Sequence, residues 1–136
     1  MEFGKKKLGF GFMRLAMIGD QVDTAQCMQM VDAFLEQGFC YFDTAHPYLQ
    51  GRSEQELKKC LTSRYPRERY ILTNKLSHGC FSGRVGVEPF LDLQLERCGV
   101  EWFDLYLLHA MDEEFHEEYL KDGIYDEVQR MKAAGK

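Results

Sequence analysis

Hydrophobic and polar positions along this chain change in blocks rather than residue by residue. Four apolar runs, at residues 8–15, 39–45, 70–76 and 103–110, are each about as long as a typical strand and rich in β-forming residues. They show little of the polar alternation of a half-solvated strand, so they predict four strands buried on both faces. The segments between them carry helical periods. Residues 23–37 place Ala25, Met28, Val31 and Leu35 at three- and four-residue steps, with Asp23 available as an N-cap. Ser53 opens a second predicted helix, with Glu56 completing a capping box and Leu57, Cys60 and Leu61 on one face, and this helix stops before Pro66. A third opens near Pro89, carries Phe90, Leu93 and Cys98, and ends at Gly99. A fourth runs from about Tyr125 through Val128 and Met131 to Gly135.

The order is strand then helix, four times, at a spacing of roughly 30 residues that suits parallel βαβ units. Right-handed crossovers set all the helices on one side of a sheet that curves into a barrel. A complete eight-unit barrel takes about 250 residues. The expectation is therefore an α/β fold, half of a (β/α)8 TIM barrel with about four βα units, forming one half-barrel domain over residues 1–136. No low-complexity linker divides the chain.

Composition narrows the partners. The formal net charge is -5 and the Lys and Arg residues are scattered, which excludes DNA and RNA as expected partners. No apolar run approaches the roughly 20 residues of a membrane span. No signal-type apolar run follows the charged N-terminus, so a cytoplasmic location is expected. The five cysteines lack the short spacings of zinc or redox motifs and read as small buried hydrophobes. His78 with Cys80 offers two ligands where a structural zinc needs four, so no metal is expected.

The ionisable residues within the strand runs are informative. Asp43, Lys75 and His109 lie near the ends of the second, third and fourth predicted strands, at the edge where parallel βα folds build active sites. The pleat sets Tyr41 with Asp43, Thr73 with Lys75, and Leu107 with His109 on one face each. Tyr48 follows five residues after Asp43 and hangs over the same rim. In this reading Tyr48 is a proton donor, Lys75 eases its deprotonation, Asp43 keeps Lys75 charged and in place, and His109 orients a substrate oxygen. Each residue alone has a plainer account: a turn cap, a packed aromatic, a solvated lysine, a satisfied histidine. Their joint placement favours chemistry. Gly9 and Gly11 begin a dinucleotide fingerprint, but Arg14 stands where the third glycine belongs, so that motif fails. His46 is a rival acid that no motif supports. Asp112, Glu113, Glu114, Glu117 and Glu118 read as a solvated acidic loop.

Several stretches resemble the aldo/keto reductase family: Phe42-Asp43-Thr44-Ala45-His46-Pro47-Tyr48 with Gly51-Arg52-Ser53-Glu54, Leu72-Thr73-Asn74-Lys75-Leu76, and Asp104-Leu105-Tyr106-Leu107-Leu108-His109. The segment Gly9-Phe10-Gly11-Phe12-Met13-Arg14-Leu15 is similar to that family's first barrel strand. The resemblance covers nearly the whole chain and implies the N-terminal half of the barrel. It also implies Asp43, Tyr48, Lys75 and His109 as the catalytic tetrad. Asp43, with Met13 and Arg14 at the end of the first strand, would border the nicotinamide of NADPH, or of NADH, a plain rim role being the alternative for Met13 and Arg14; the substrate would be a small aldehyde or ketone. In such a family the later strands hold the rest of the cofactor. A half barrel also exposes an unpaired first strand, an unpaired fourth strand and an open interior, so self-association or dependence on a second, C-terminal half is expected. The alternative is a catalytically silent remnant or a regulatory binding subunit. A Schiff-base aldolase using Lys75 is a weaker third reading.

Overall fold

A computed structural model describes residues 6–136; residues 1–5 of the charged N-terminal stretch lie outside the described residues. Four parallel strands form one sheet in the order β1 (Gly9–Gly11), β4 (Tyr41–Asp43), β5 (Ile71–Ser77) and β6 (Leu105–His109). The register aligns Gly11 with Asp43 and Asp43 with Thr73, and then Lys75 with Leu107 and Ser77 with His109. The helices α1 (Thr24–Glu36), α2 (Ser53–Leu57) and α3 (Val87–Cys98) connect successive strands, while α4 (Glu113–Lys121) and α5 (Ile124–Ala133) follow β6. The predicted α/β class and parallel order are present, and the four units correspond to half of a (β/α)8 barrel.

Because neighbouring parallel strands keep their side chains in step, the register divides the sheet into two faces. Phe10, Phe42, Leu72, Leu76, Tyr106 and Leu108 point to the helices. There they meet Val31 and Leu35 of α1, Leu57 of α2, and Phe90, Leu91 and Leu95 of α3. Phe42, Leu57, Leu72 and Leu76 are fully buried, each contributing about 1.5–3 kcal/mol by leaving water. Gly9, Gly11, Tyr41, Asp43, Thr73, Lys75, Ser77, Leu107 and His109 share the other face, the barrel's inner surface. Leu107 is 42% exposed on it.

Several local expectations differ from the structure, each for an identifiable reason. The first strand is three residues long. Beyond it the chain turns into an antiparallel hairpin, β2 (Met17–Ile18) with β3 (Gln21–Val22), across Gly19 at φ +63°. Asp23 caps α1 as expected, its carboxylate accepting from the Gln26 N–H at 2.9 Å. The buried stripe of that helix runs through Cys27, Val31 and Leu35, and Ala25 faces out. Ser53 does not cap a helix. It is fully buried, donates to the Phe12 carbonyl at 2.9 Å and accepts from the Thr44 hydroxyl at 2.7 Å, tying α2 to the ends of β1 and β4. Glu56 likewise forms no capping box; its carboxylate accepts from Thr24 and Lys59 at 2.8 and 2.7 Å. After Leu57 the helix widens into a π-type turn, Lys58–Thr62.

In α3, Leu93 is exposed and Gln94 takes the inner position. The acidic segment expected as a loop is α4. Asp112 caps it by accepting from the Phe115 N–H at 2.9 Å, and Glu113 and Glu114 occupy its first turn, where carboxylates favour the positive end of the helix dipole. Tyr119 anchors this helix in the core.

Candidate active site

The inner face carries its polar groups at the C-terminal ends of β4, β5 and β6. Lys75 is 7% exposed, and its ammonium donates to Asp43 Oδ1 at 2.7 Å, Asp43 Oδ2 at 2.8 Å and the Thr44 carbonyl at 2.7 Å. All three protons of the ammonium are thereby used. Tyr48 closes over this pair: Lys75 Nζ lies 4.8 Å from the centre of the Tyr48 ring, a cation–π approach. The edge contact between Tyr48 and His109, 5.6 Å between ring centres, completes the cluster. The four residues singled out in the sequence are therefore in one place. One detail differs from expectation. Lys75 meets the face of the Tyr48 ring, and among the described residues no hydrogen bond joins it to the phenol hydroxyl.

His109 Nδ1 is 2.7 Å from the Ser77 hydroxyl. Burial holds the imidazole below its ordinary pKa; the Lys75 ammonium adds to the effect and the Asp43 carboxylate opposes it. His109 is thus biased toward its neutral form.

Tyr48 owes its position to an unusual turn. Leu49, Gln50 and Gly51 are successively left-handed, at φ 52°, 57° and 82°. The two non-glycine residues each oppose this conformation by roughly 1–2 kcal/mol. Arg52 offsets that cost by donating to the Leu49 carbonyl at 3.1 Å and the Asp20 carbonyl at 2.6 Å, and Arg97 donates to the Gly51 carbonyl.

Behind Lys75, on the helix side, lies a polar network that the sequence reading did not identify. Glu54 is fully buried, and its carboxylate accepts from Arg97 at 2.7 Å, Asn74 at 3.0 Å and Gln94 at 3.1 Å, with His46 Nδ1 at 2.9 Å. Gln94 also donates to the Lys75 carbonyl at 3.1 Å, and Tyr106 donates to Gln94 Oε1 at 2.5 Å. The network locks the backbone of β5 where Lys75 departs. It also accounts for His46, whose ring is committed to Glu54. The available signal was Asn74, a polar residue between Leu72 and Leu76 on the helix-facing side of its strand.

Met13 and Arg14 are both exposed just beyond β1. A Cβ built on Gly11, the inward neighbour of Asp43, meets no atom within 4 Å, so open space lies beside the Asp43–Lys75 pair. At the other end of the strands a separate cavity of about 500 Å³ is lined by Gly9, Cys40, Tyr41 and Ile71. Among the described residues no group of three or more His, Cys, Asp or Glu side chains is arranged to hold a metal ion. No helix among them is long and apolar enough to cross a membrane.

The model of the aldo/keto reductase family matches residues 7–136. The chain belongs to the aldo/keto reductase family. Among solved structures, an aldo-keto reductase from Klebsiella pneumoniae in complex with NADPH is similar at a TM-score of 0.74 and 22% identity, over 94% of this chain and 42% of that one. The holo form of an aldo-keto reductase from Bacillus halodurans gives 0.73 and 27%, over 94% and 42%. An aldo-keto reductase from a deep-sea metagenome library of the Medee basin gives 0.71 and 24%, over 100% and 47%. The chain thus spans about half the length of the aldo/keto reductase structures it matches. Comparison with curated proteins gives no match.

Proposed function

We propose that this aldo/keto reductase chain carries the acid–base half of a site that reduces a small aldehyde or ketone to an alcohol. The observation that carries the reading is the placement of Tyr48 over the Asp43–Lys75 pair with His109 at its edge. Tyr48 delivers its proton to the carbonyl oxygen. As that proton leaves, negative charge develops on the phenol, and the Lys75 ammonium beneath the ring stabilises it. Asp43 holds the ammonium there through both carboxylate oxygens. His109 presents an N–H to the substrate oxygen and fixes its direction.

The residues fit a nicotinamide. Gly11 leaves room beside Asp43, and Met13 and Arg14, exposed just beyond the same strand, would border the ring. NADPH, the ligand named for the Klebsiella relative, is the cofactor proposed, with NADH as the substitute. Once bound it would supply the hydride that adds to the carbonyl carbon. Among the described residues β1 and β6 are the two edges of the sheet, each paired with one strand, and the Phe103 N–H donates to the Lys136 carbonyl at 2.9 Å beside the start of β6. We extend the proposal to a barrel completed by a second half or a second copy, acting in the cytoplasm. Light scattering at micromolar concentration should then show self-association unless a complementary half is added.

The test of activity is NADPH fluorescence titration followed by turnover on a panel of carbonyl compounds, with Tyr48→Phe as the control. That variant keeps the ring over Lys75 and removes the hydroxyl, so reduction should fall by about 10²-fold or more with NADPH binding retained. A second reading, a binding subunit without turnover, draws on the three protons of Lys75 being committed to Asp43 and Thr44. NADPH binding without carbonyl reduction would select it.

A further inference from the structure

We propose that Ser77 is a positioning residue that sets the tautomer of His109, donating its hydroxyl proton to Nδ1 so that Nε2 carries the N–H facing the open inner surface. Ser77 and His109 are direct register partners at the ends of β5 and β6, both on the inner face. The Ser77 hydroxyl is 2.7 Å from His109 Nδ1, and the serine is 3% exposed. Among the described residues this is the only hydrogen-bond partner of the Ser77 side chain, and Nδ1 is the only nitrogen of His109 that has one.

A neutral imidazole has one N–H and one lone pair, and the partner of one nitrogen decides which the other presents. Two arrangements satisfy the 2.7 Å contact. If Nδ1–H donated to serine, Nε2 would present a lone pair, and the hydroxyl proton would find no acceptor among the described residues. If serine donates to Nδ1, its proton is used in a buried site where an unsatisfied donor is costly, and Nε2 keeps its proton. The second arrangement satisfies both groups. Burial and the Lys75 ammonium act in the same direction by disfavouring imidazolium, the form in which both nitrogens are donors. Of the groups around the ring, Lys75 opposes protonation, Asp43 favours it, and Tyr48 contributes an aromatic edge contact.

The consequence for chemistry rests on the carbonyl-reductase reading: a carbonyl oxygen accepts from Nε2–H and is repelled by a lone pair. The tautomer itself does not rest on that reading, so it is measured separately. Nitrogen-15 spectra of the imidazole-labelled chain, assigned with His109→Gln, should show His109 near pH 8 with Nδ1 unprotonated and Nε2 protonated. Ser77→Ala should move the resonances toward a mixture of tautomers, and Ser77→Thr should restore the wild-type pattern. A wild-type spectrum with the proton on Nδ1 overturns the proposal, as does a folded Ser77→Ala chain whose His109 pattern is unchanged. The wild-type spectrum can overturn the proposal even if the alanine variant does not fold, and in that case Ser77→Cys, a weaker donor of similar size, takes its place and should likewise shift the pattern toward a mixture. If the tautomer is as stated but no carbonyl is reduced in the completed barrel, the assignment to Ser77 stands and the reductase reading fails.

Discussion

Lys75 and Asp43 form a two-point ion pair, with Nζ 2.7 and 2.8 Å from the two carboxylate oxygens, across the register between β5 and β4. The side chains are 9% and 26% exposed, so water screens the pair only weakly. Asp43→Asn keeps the shape and removes the charge, leaving the ammonium with the Thr44 carbonyl and a neutral amide. The variant should lose about 2–3 kcal/mol in urea unfolding. Asp43→Asn combined with Lys75→Met, which also removes the buried cation, should recover most of that loss. Recovery of none of it would mean that Asp43 acts through something other than Lys75.

The depressed pKa of His109 makes stability depend on pH with a definite sign. The unfolded chain binds a proton on this residue at the ordinary imidazole value of about 6.5, and the folded chain binds it only at lower pH. Between the two values the unfolded state holds more protons, so stability rises with pH there. The contribution of His109 is complete above about pH 6.5 and is lost as pH falls through the folded value. Urea midpoints measured from about pH 7.5 down to pH 5 should decline, and His109→Gln should flatten the upper part of that decline. An equal slope in the variant would assign the acid sensitivity to other groups.

The parts of the fold that the sequence made legible are those governed by long apolar periods. The order of the four strands, the Asp23 cap and the Gly99 stop at φ +68° follow from local chemistry and are where the pattern puts them, but of the strands expected to be buried on both faces only β5 is; β1, β4 and β6 leave their inner-face residues partly or fully exposed. The three strand-end residues were legible for the same reason: a charged residue in a buried run has few explanations. Tyr48 was legible only through its position in the loop, and the loop's shape was not. Leu49 and Gln50 are held left-handed by Arg52 and Arg97 from elsewhere in the chain, and no local propensity encodes that. Ser53 illustrates the same limit. Its capping-box pattern is correct locally, but burial against Phe12 and Thr44 overrides it. Glu54, Asn74, Gln94 and Arg97 come from three elements, and nothing in their spacing announces that one buried carboxylate gathers them.

The two inward glycines of β1 make opposite predictions and together test the proposed cofactor position. At Gly9 an added Cβ would lie 2.7 Å from Tyr41 Cδ1 and 3.2 Å from Cε1. The Tyr41 ring cannot swing away freely, because its hydroxyl accepts from Thr73 at 2.9 Å. Gly9→Ala should therefore destabilise the chain by about 1–3 kcal/mol, the usual cost of overpacking. At Gly11 the same methyl meets nothing within 4 Å, so Gly11→Ala should leave the unfolding midpoint within about 0.5 kcal/mol of wild type. That methyl would, however, project into the space beside Asp43 assigned to the nicotinamide. Fluorescence titration should show NADPH binding about tenfold weaker for Gly11→Ala at unchanged stability, a loss of about 1.4 kcal/mol. Unaltered affinity would place the nicotinamide elsewhere, since a ring packed against this strand has no room for the extra carbon.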